Sequence, residues 1–392
     1  MEKIMQIIAS ETGGKSYNTY KYSFDSIGLP TIDYEDESTK VMKWQEKGET
    51  VKYTAPVNLK DEADTISFKP SIFTYFLDGS RRVFKVDDIS YNKQVFPVIA
   101  GQIGVGCCKR IDKKISQEKF YGELVLSLPD KSNSDGWNDE AVFAALTKKV
   151  NEAINFNKLQ KIEFNAILPY KTSKDLSLDS KLEDRGIAMI QDYMIESEKN
   201  LVAELVKDRK LNQNNYLIKD GSLEYKPMNK GKEDLRLLQK IKNNYKWVVG
   251  VSKQFNPESL KDHTGKTNAN YIADLPVYHR TPVARYENRE FLGDVQFAVW
   301  YVRLREKKNT LTPFDGVVKV EKILMDSEKD NGVDSDTIDL ITANIINERN
   351  PVCYGTDKRW ANHLYPVFLT ETFVKSKYIS SELFLNLFGS VK

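Results

Sequence analysis

The stretch Ile72-Phe-Thr-Tyr-Phe-Leu-Asp78-Gly79-Ser80-Arg81-Arg82-Val-Phe-Lys-Val86 decides how the chain is read. Before Asp78 it is aromatic and branched apart from one threonine. Such a run predicts a buried strand, and Asp-Gly-Ser predicts the turn that stops it. A carboxylate at the end of a buried strand is fixed by the sheet and still reaches solvent, which suits a metal ligand. The pattern recurs at Tyr216-Leu-Ile-Lys-Asp220-Gly221-Ser222-Leu223. One Asp-Gly-Ser is usually a plain turn. Two of them, each closing an apolar strand, are more informative than either alone.

Working outward, Phe96–Cys108 and Tyr121–Leu128 read as two more strands, so the first three form an antiparallel meander. Asn138-Asp-Glu opens a helix that runs to about Asn155, and Lys161–Leu168 reads as a strand. Between the two aspartates lies a long helix, Leu182–Lys207, with an apolar stripe of Ile187, Ile190, Met194, Leu201 and Leu205. Glu198 falls on that stripe, where a carboxylate is costly unless something pairs with it. Glu196 and Glu204 lie off the stripe and read as solvated. After Asp220 come a charged linker at Lys226–Lys232, a helix over Glu233–Asn244, and a strand over Lys246–Lys253 that ends in a lysine. Strands follow within Asp294–Arg305 and over Val317–Leu324, then a helix over Val333–Asn347. The tail His363–Phe388 alternates apolar and polar residues. Residues 1–70 are polar, with an acidic cluster at Asp33–Glu37 and short strand-like pieces such as Thr50–Ala55. They read as an N-terminal extension to a single domain spanning 71–392, an α/β body.

Composition narrows the function. Over 392 residues the formal net charge is only +2, so binding to nucleic acid would need a local basic patch or a partner. Cys107, Cys108 and Cys353 show no Cys-x-x-Cys spacing, and the histidines are His263, His279 and His363. This argues against a structural zinc site and for small core thiols in a reducing compartment. Met1–Ser10 lacks a signal-peptide pattern, and no apolar run approaches the roughly 20 residues that cross a bilayer. A cytoplasmic protein with no membrane segment is expected. There is no P-loop, Gly101-x-x-Gly104-x-Gly106 lacks dinucleotide-binding spacing, and no nucleophile elbow occurs.

Asp78, Glu198 and Asp220 therefore form a candidate acidic cluster. Magnesium and manganese take oxygen ligands, usually a few carboxylates plus substrate phosphate. Two ions about 4 Å apart can activate water and stabilise a leaving oxygen in phosphodiester hydrolysis. Without a cation, like charges that close repel. Lys253 would reach a phosphate from its strand end. Arg81 and Arg82 would either lie along a nucleic-acid backbone or pair with Asp87 or Asp88.

The order of these motifs resembles the NurA nucleases. Phe76-Leu-Asp78-Gly-Ser-Arg81-Arg82, the helix bearing Glu198, Leu217-Ile-Lys-Asp220-Gly-Ser-Leu223, Val249-Gly-Val-Ser-Lys253, the strand Phe297–Leu304 and Tyr365-Pro-Val-Phe-Leu369 carry the likeness from about residue 71 to the C-terminus. The resemblance implies a ribonuclease-H-like mixed sheet with flanking helices. It implies a manganese- or magnesium-dependent deoxyribonuclease, a 5'-3' exonuclease with endonuclease action as well. It also implies a homodimer docked on a HerA-type hexameric ATPase that drives DNA toward it, in end processing or anti-phage defence. It places catalytic roles at Asp78, Glu198, Asp220, Lys253 and Tyr365. One position departs: where family members commonly carry histidine the chain has Phe373, which can neither bind metal nor shuttle a proton. That leaves a second reading, a catalytically weak DNA-binding or scaffolding subunit of such a motor complex.

Overall fold

In the structure, a computed structural model, residues 4–17, 21–23, 42–43, 48–133, 138–156, 162–173, 181–223, 235–261, 266–287, 295–310, 312–351 and 358–389 are described. The acidic cluster at Asp33–Glu37, the linker at Lys226–Lys232, His263 and Cys353 lie outside them. Helix α1 (Ile4–Thr12) precedes four two-residue strands, β1 (Lys15–Ser16), β2 (Tyr22–Ser23), β3 (Met42–Lys43) and β4 (Val57–Asn58), and helix α2 (Lys60–Ile66). Three long strands follow: β5 (Phe73–Tyr91), β6 (Gln94–Ile111) and β7 (Lys114–Pro129). Then come α3 (Asp139–Phe156), β8 (Ala166–Tyr170), α4 (Leu182–Lys207), β9 (Tyr216–Asp220), α5 (Leu235–Tyr245) and β10 (Val248–Ser252). The short elements β11 (Leu260–Lys261), α6 (Ala269–Ala273), β12 (His279–Arg280) and β13 (Ala284–Glu287) lead to β14 (Gln296–Arg303) and β15 (Val317–Ile323). Helices α7 (Ser335–Asn347), α8 (Tyr365–Ser376) and α9 (Ser381–Asn386) close the chain. None of the described helices is long and apolar enough to cross a membrane.

The result is a mixed α/β fold with one large sheet and flanking helices. Its main path is β11-β3-β13-β14-β15-β10-β9-β5-β6-β7-β8. β9 runs parallel to both β5 and β10, and β8 parallel to β7, while the β5–β6–β7 meander is antiparallel as expected. Tight two-residue hairpins make the meander possible. Asn92 and Lys93 have φ of 47° and 68°, the doubly left-handed backbone whose twist matches that of the flanking strands.

Alternation along the strands sorts side chains between two cores. One face packs Tyr75, Leu77, Ile99, Ile103 and Val125 under the α4 stripe, all five of whose apolar members are buried. Farther along, the other face joins Phe84, Val98 and Ala100 to α1, α3, Phe384 of α9 and Phe388 just past it. Helix α8 crosses β5 and β6 on that second face, where β6 carries Gly104 and Gly106. A Cβ at either glycine would strike Val374 of α8.

Three expectations change. Asp78-Gly79-Ser80 is not a turn: it lies inside β5, opposite Gly106, Val105 and Gly104 of β6. What stops there is the neighbour on the other side, since β5 and β9 last pair at Leu77 and Lys219. Among the described residues, β5 has no strand partner on that side until β2 meets Phe84. The tail, read as alternating, is helical in α8 and α9. Among the described residues, the first seventy hold two helices besides the short strands, and α1 buries Ile4, Met5 and Ile8.

Candidate active site

The fork between β5 and β9 brings the two aspartates together. Asp78 sits at the level where β9 ends in Asp220, and Gly221 turns the chain away with φ of 87°. The second Asp-Gly-Ser is thus the strand end that its sequence predicts. Glu321 of β15 accepts from the Ser222 hydroxyl (2.8 Å) and the Leu223 N–H (2.7 Å), which pins the turn. Burial acts to raise the Glu321 pKa, but Lys319 at 2.9 Å and the Leu223 N–H hold it below the usual value.

Asp220 lies near enough to Asp78 for its charge to act on the Asp78 carboxyl. Asp78 is only 4% exposed, and among the described residues its Oδ2 has no hydrogen-bond partner. Burial first, and Asp220 second, push the Asp78 pKa well above the carboxylate range, with Lys253 pulling the other way. Two carboxyls so placed need a proton or a cation to offset their repulsion.

Lys253, one residue past β10, supplies a positive charge at the edge of the pair. Its Nζ lies 2.7 Å from Asp220 Oδ2 and 3.2 Å from Glu371 Oε2. Burial alone would depress the lysine pKa, but Asp220, Glu371 and Asp78 reverse this and raise it. The side-chain amide of Asn362 donates to the Lys253 carbonyl (2.7 Å) and so fixes the backbone. Glu371, on α8, is buried and also holds Lys375 at 2.6 Å. Sequence reasoning missed Glu371 because its segment was read with a strand period. At helical period the pairing of Glu371 with Lys375, four residues on, is the signal that marks it.

Glu198 approaches from the other face. Gly79, next to Asp78, points at α4, and a Cβ there would overlap the Glu198 carboxylate. Glu198 is 3% exposed and pairs with Lys219 of β9 at 3.2 Å. Burial raises its pKa, Lys219 lowers it, and Asp220 raises it again. Asp220 is therefore the common neighbour: its charge acts on Asp78 on one side and Glu198 on the other. Lys219, which also donates to the Asp220 carbonyl (2.9 Å), is a second missed residue. Its only signal in the sequence is a lysine inside an otherwise apolar strand.

The remaining candidates lie around this centre. Arg81 donates from Nε to Gln191 of α4, and the Arg82 guanidinium stacks 5.0 Å from the Tyr378 ring centroid. Tyr365 opens α8 and is exposed; among the described residues no hydrogen bond links its hydroxyl to the carboxylates. Phe373 packs edge-on against Phe120 with centroids 5.7 Å apart.

The donor set fits a hard divalent cation to a defined extent. Among the described residues, no three His, Cys, Asp or Glu side chains converge as they stand to hold one. Magnesium-type sites, however, commonly use one or two carboxylates with waters and substrate phosphate. Asp78 and Asp220, with an unpartnered buried oxygen, supply those two.

A family model described as the NurA domain matches residues 74–371, a span that includes Asp78, Glu198, Asp220, Lys253 and Glu371. Among solved structures, the NurA nuclease from Sulfolobus solfataricus is similar at 12% identity and a TM-score of 0.37, over 81% of this chain and 85% of that one. A search of curated proteins found no match.

Proposed function

This chain belongs to the NurA family, and from that premise we propose that it is a metal-dependent DNA nuclease. The single observation that carries the reading is the buried Asp78 carboxyl beside the Asp220–Lys253 pair, with one Asp78 oxygen left without a partner among the described residues. We read the large mixed sheet as ribonuclease-H-like. The reading includes exonuclease action on DNA ends in the 5'-3' sense, endonuclease action, a homodimer, and docking on a HerA-type hexameric ATPase in the cytoplasm. Such a partner would supply the DNA that a chain of net charge +2 does not attract in bulk.

Asp78 and Asp220 would hold manganese or magnesium, with Glu198, held against Gly79 on the other face of β5, acting on them through Asp220. A cation held there would supply an activated water and neutralise charge on the phosphate. The protein does the rest. Lys219, 3.2 Å away, offsets part of the burial that raises the Glu198 pKa. Lys253 presents an ammonium to a non-bridging phosphate oxygen, held in position by Glu371 from behind. Arg81 and Arg82 follow Asp78 along β5 and take the DNA backbone, and Tyr365 serves from the start of α8.

Linear duplex and plasmid DNA incubated with manganese, with and without the ATPase, test this. Cleavage by the wild type that is lost in Asp78→Ala and in Asp220→Ala is the expected result. A second reading, a weakly active DNA-binding subunit, has its own observation: Lys219 and Lys253 already neutralise two of the carboxylates. DNA binding without cleavage under every condition would favour it and end the nuclease reading.

A further inference from the structure

Two strands from Asp78, on the same face of the sheet, stands an aromatic pair that the proposed chemistry does not use. Asp78 lies opposite Gly106, and Gly106 lies opposite Phe120. Directly opposed residues share a face, so these three form one row. At the usual spacing Phe120 is about 10 Å from Asp78. Phe373 of α8 covers the glycine between them: a Cβ on Gly106 would lie 3.4 Å from its ring. The next row is Ser80, Gly104 and Gly122. The Phe120 ring lies along it, so that a Cβ on Gly122 would come 2.9 Å from the ring. Glycine inside a strand weakens it and marks a place of close approach. Val374 of α8 accounts for Gly104 and Gly106, but at Gly122 the neighbour that excludes a Cβ among the described residues is the Phe120 ring.

Both rings are half-buried, so each keeps an open side. The surroundings are cationic. The Lys377 ammonium is 5.1 Å from the Phe373 ring centroid and Arg82 stacks on Tyr378. Lys375, on the same helix as Phe373, is taken by Glu371. An aromatic face flanked by cations, one to two nucleotide lengths from the acidic pair, matches a base with its phosphate.

We propose that Phe120 and Phe373 form a step on which the DNA base flanking the scissile phosphate stacks. The proposal rests on the nuclease reading for the location of that phosphate. Stacking is indifferent to base identity, so the step would position strands without reading sequence.

The test uses the full chain and duplex DNA ends carrying 2-aminopurine near the terminus, in calcium to hold back cleavage. Phe120→Leu and Phe373→Leu keep apolar packing and remove the π-face; Phe373→Trp enlarges it. The leucine variants should bind labelled ends about 5- to 150-fold more weakly, the range expected for one lost base–aromatic stack. They should also lose the fluorescence quenching, while the tryptophan variant keeps both. Unchanged affinity and quenching in folded leucine variants would overturn the step. If one leucine variant does not fold, the other and Phe373→Trp decide. Because the readout is binding, a wild type that binds with quenching but never cleaves removes the nuclease reading and leaves the step. A wild type that cleaves without quenching removes the step alone.

Discussion

Asp78 is a carboxyl placed where ionisation is unfavourable. Burial raises its pKa most and Asp220 raises it further, with Lys253 opposing. A group whose native pKa is raised binds its proton more tightly in the native state. Stability is therefore lost as pH climbs from the ordinary carboxylate range toward the native value. In chelator, Asp78→Asn should melt above the wild type at neutral pH, by about 2 °C for each kcal/mol relieved. The two proteins should converge near pH ~4. Manganese should close the gap by stabilising only the wild type. A variant that melts at or below the wild type in chelator at neutral pH removes this account of Asp78. Glu371 has the complementary role. Asp220 faces both Asp78 and Lys253, so Glu371 is the carboxylate left to hold the lysine. Glu371→Gln keeps its shape and loses its charge; kcat should fall about tenfold, roughly 1.4 kcal/mol, with little change in KM. An effect confined to KM would refute the assignment. At this scale the sequence was legible where a residue broke its own pattern, as Glu198 does on an apolar stripe. It was not legible at Lys219 or Glu371, whose importance depends on partners 21 and 118 residues away in the chain.

A helix and a strand interlock at Gly79. The strand offers no Cβ, and the Glu198 carboxylate of α4 occupies the space. This explains why Asp-Gly-Ser is a strand interior here although the same tripeptide reads as a turn. Local preference marked the glycine correctly as special. The reason is a side chain from another element, and sequence alone does not show it. The second Asp-Gly-Ser, at a true strand end with φ of 87° at Gly221, behaves as its local chemistry predicts. Helix α4 was legible because its stripe, from Ile187 to Leu205, runs through most of its 26 residues. Helix α8 was hidden because its twelve residues, with proline near the start, also fit an alternating pattern. Gly79→Ala should destabilise the protein by about 1–3 kcal/mol, the range for a forced overlap. In Glu198→Ala, where the obstructing carboxylate is gone, the same change should cost little. A double-mutant cycle by urea unfolding measures the coupling. Additive effects would mean that the two residues do not touch.

At the scale of the whole molecule, the first seventy residues are fastened to the sheet by buried charge. Arg280 of β12 is fully buried, and it donates to both oxygens of Glu49 at 3.0 and 2.8 Å and to Asp339 of α7. Glu49 also accepts from the Ser335 hydroxyl at 3.0 Å and the Val283 N–H at 2.9 Å. A guanidinium sealed from water is tolerable only while those partners stay. Farther along, β1 and β2 pair with β5, and α1 packs its isoleucines into the core that holds Phe84 and Val98. Polar composition made this region read as an appendage, because one buried acid in a segment rich in acids carries no local mark. The two views predict different outcomes for a chain that starts at residue 71. As an appendage, residues 1–70 could be removed and the remainder would unfold cooperatively with nearly unchanged stability. With Glu49 gone, Arg280 keeps only Asp339 and the backbone, and the core under α1 is opened to water. The truncated chain should then aggregate or lose its cooperative transition. In the full chain, Glu49→Ala should lower stability by about 3–5 kcal/mol in urea, the usual result of removing one partner of a buried pair. Replacing all three charges, with Glu49→Leu, Arg280→Met and Asp339→Leu, should recover most of that loss. A truncated chain that melts cooperatively at the full-length temperature would show that the Glu49–Arg280 pair does not hold the sheet together.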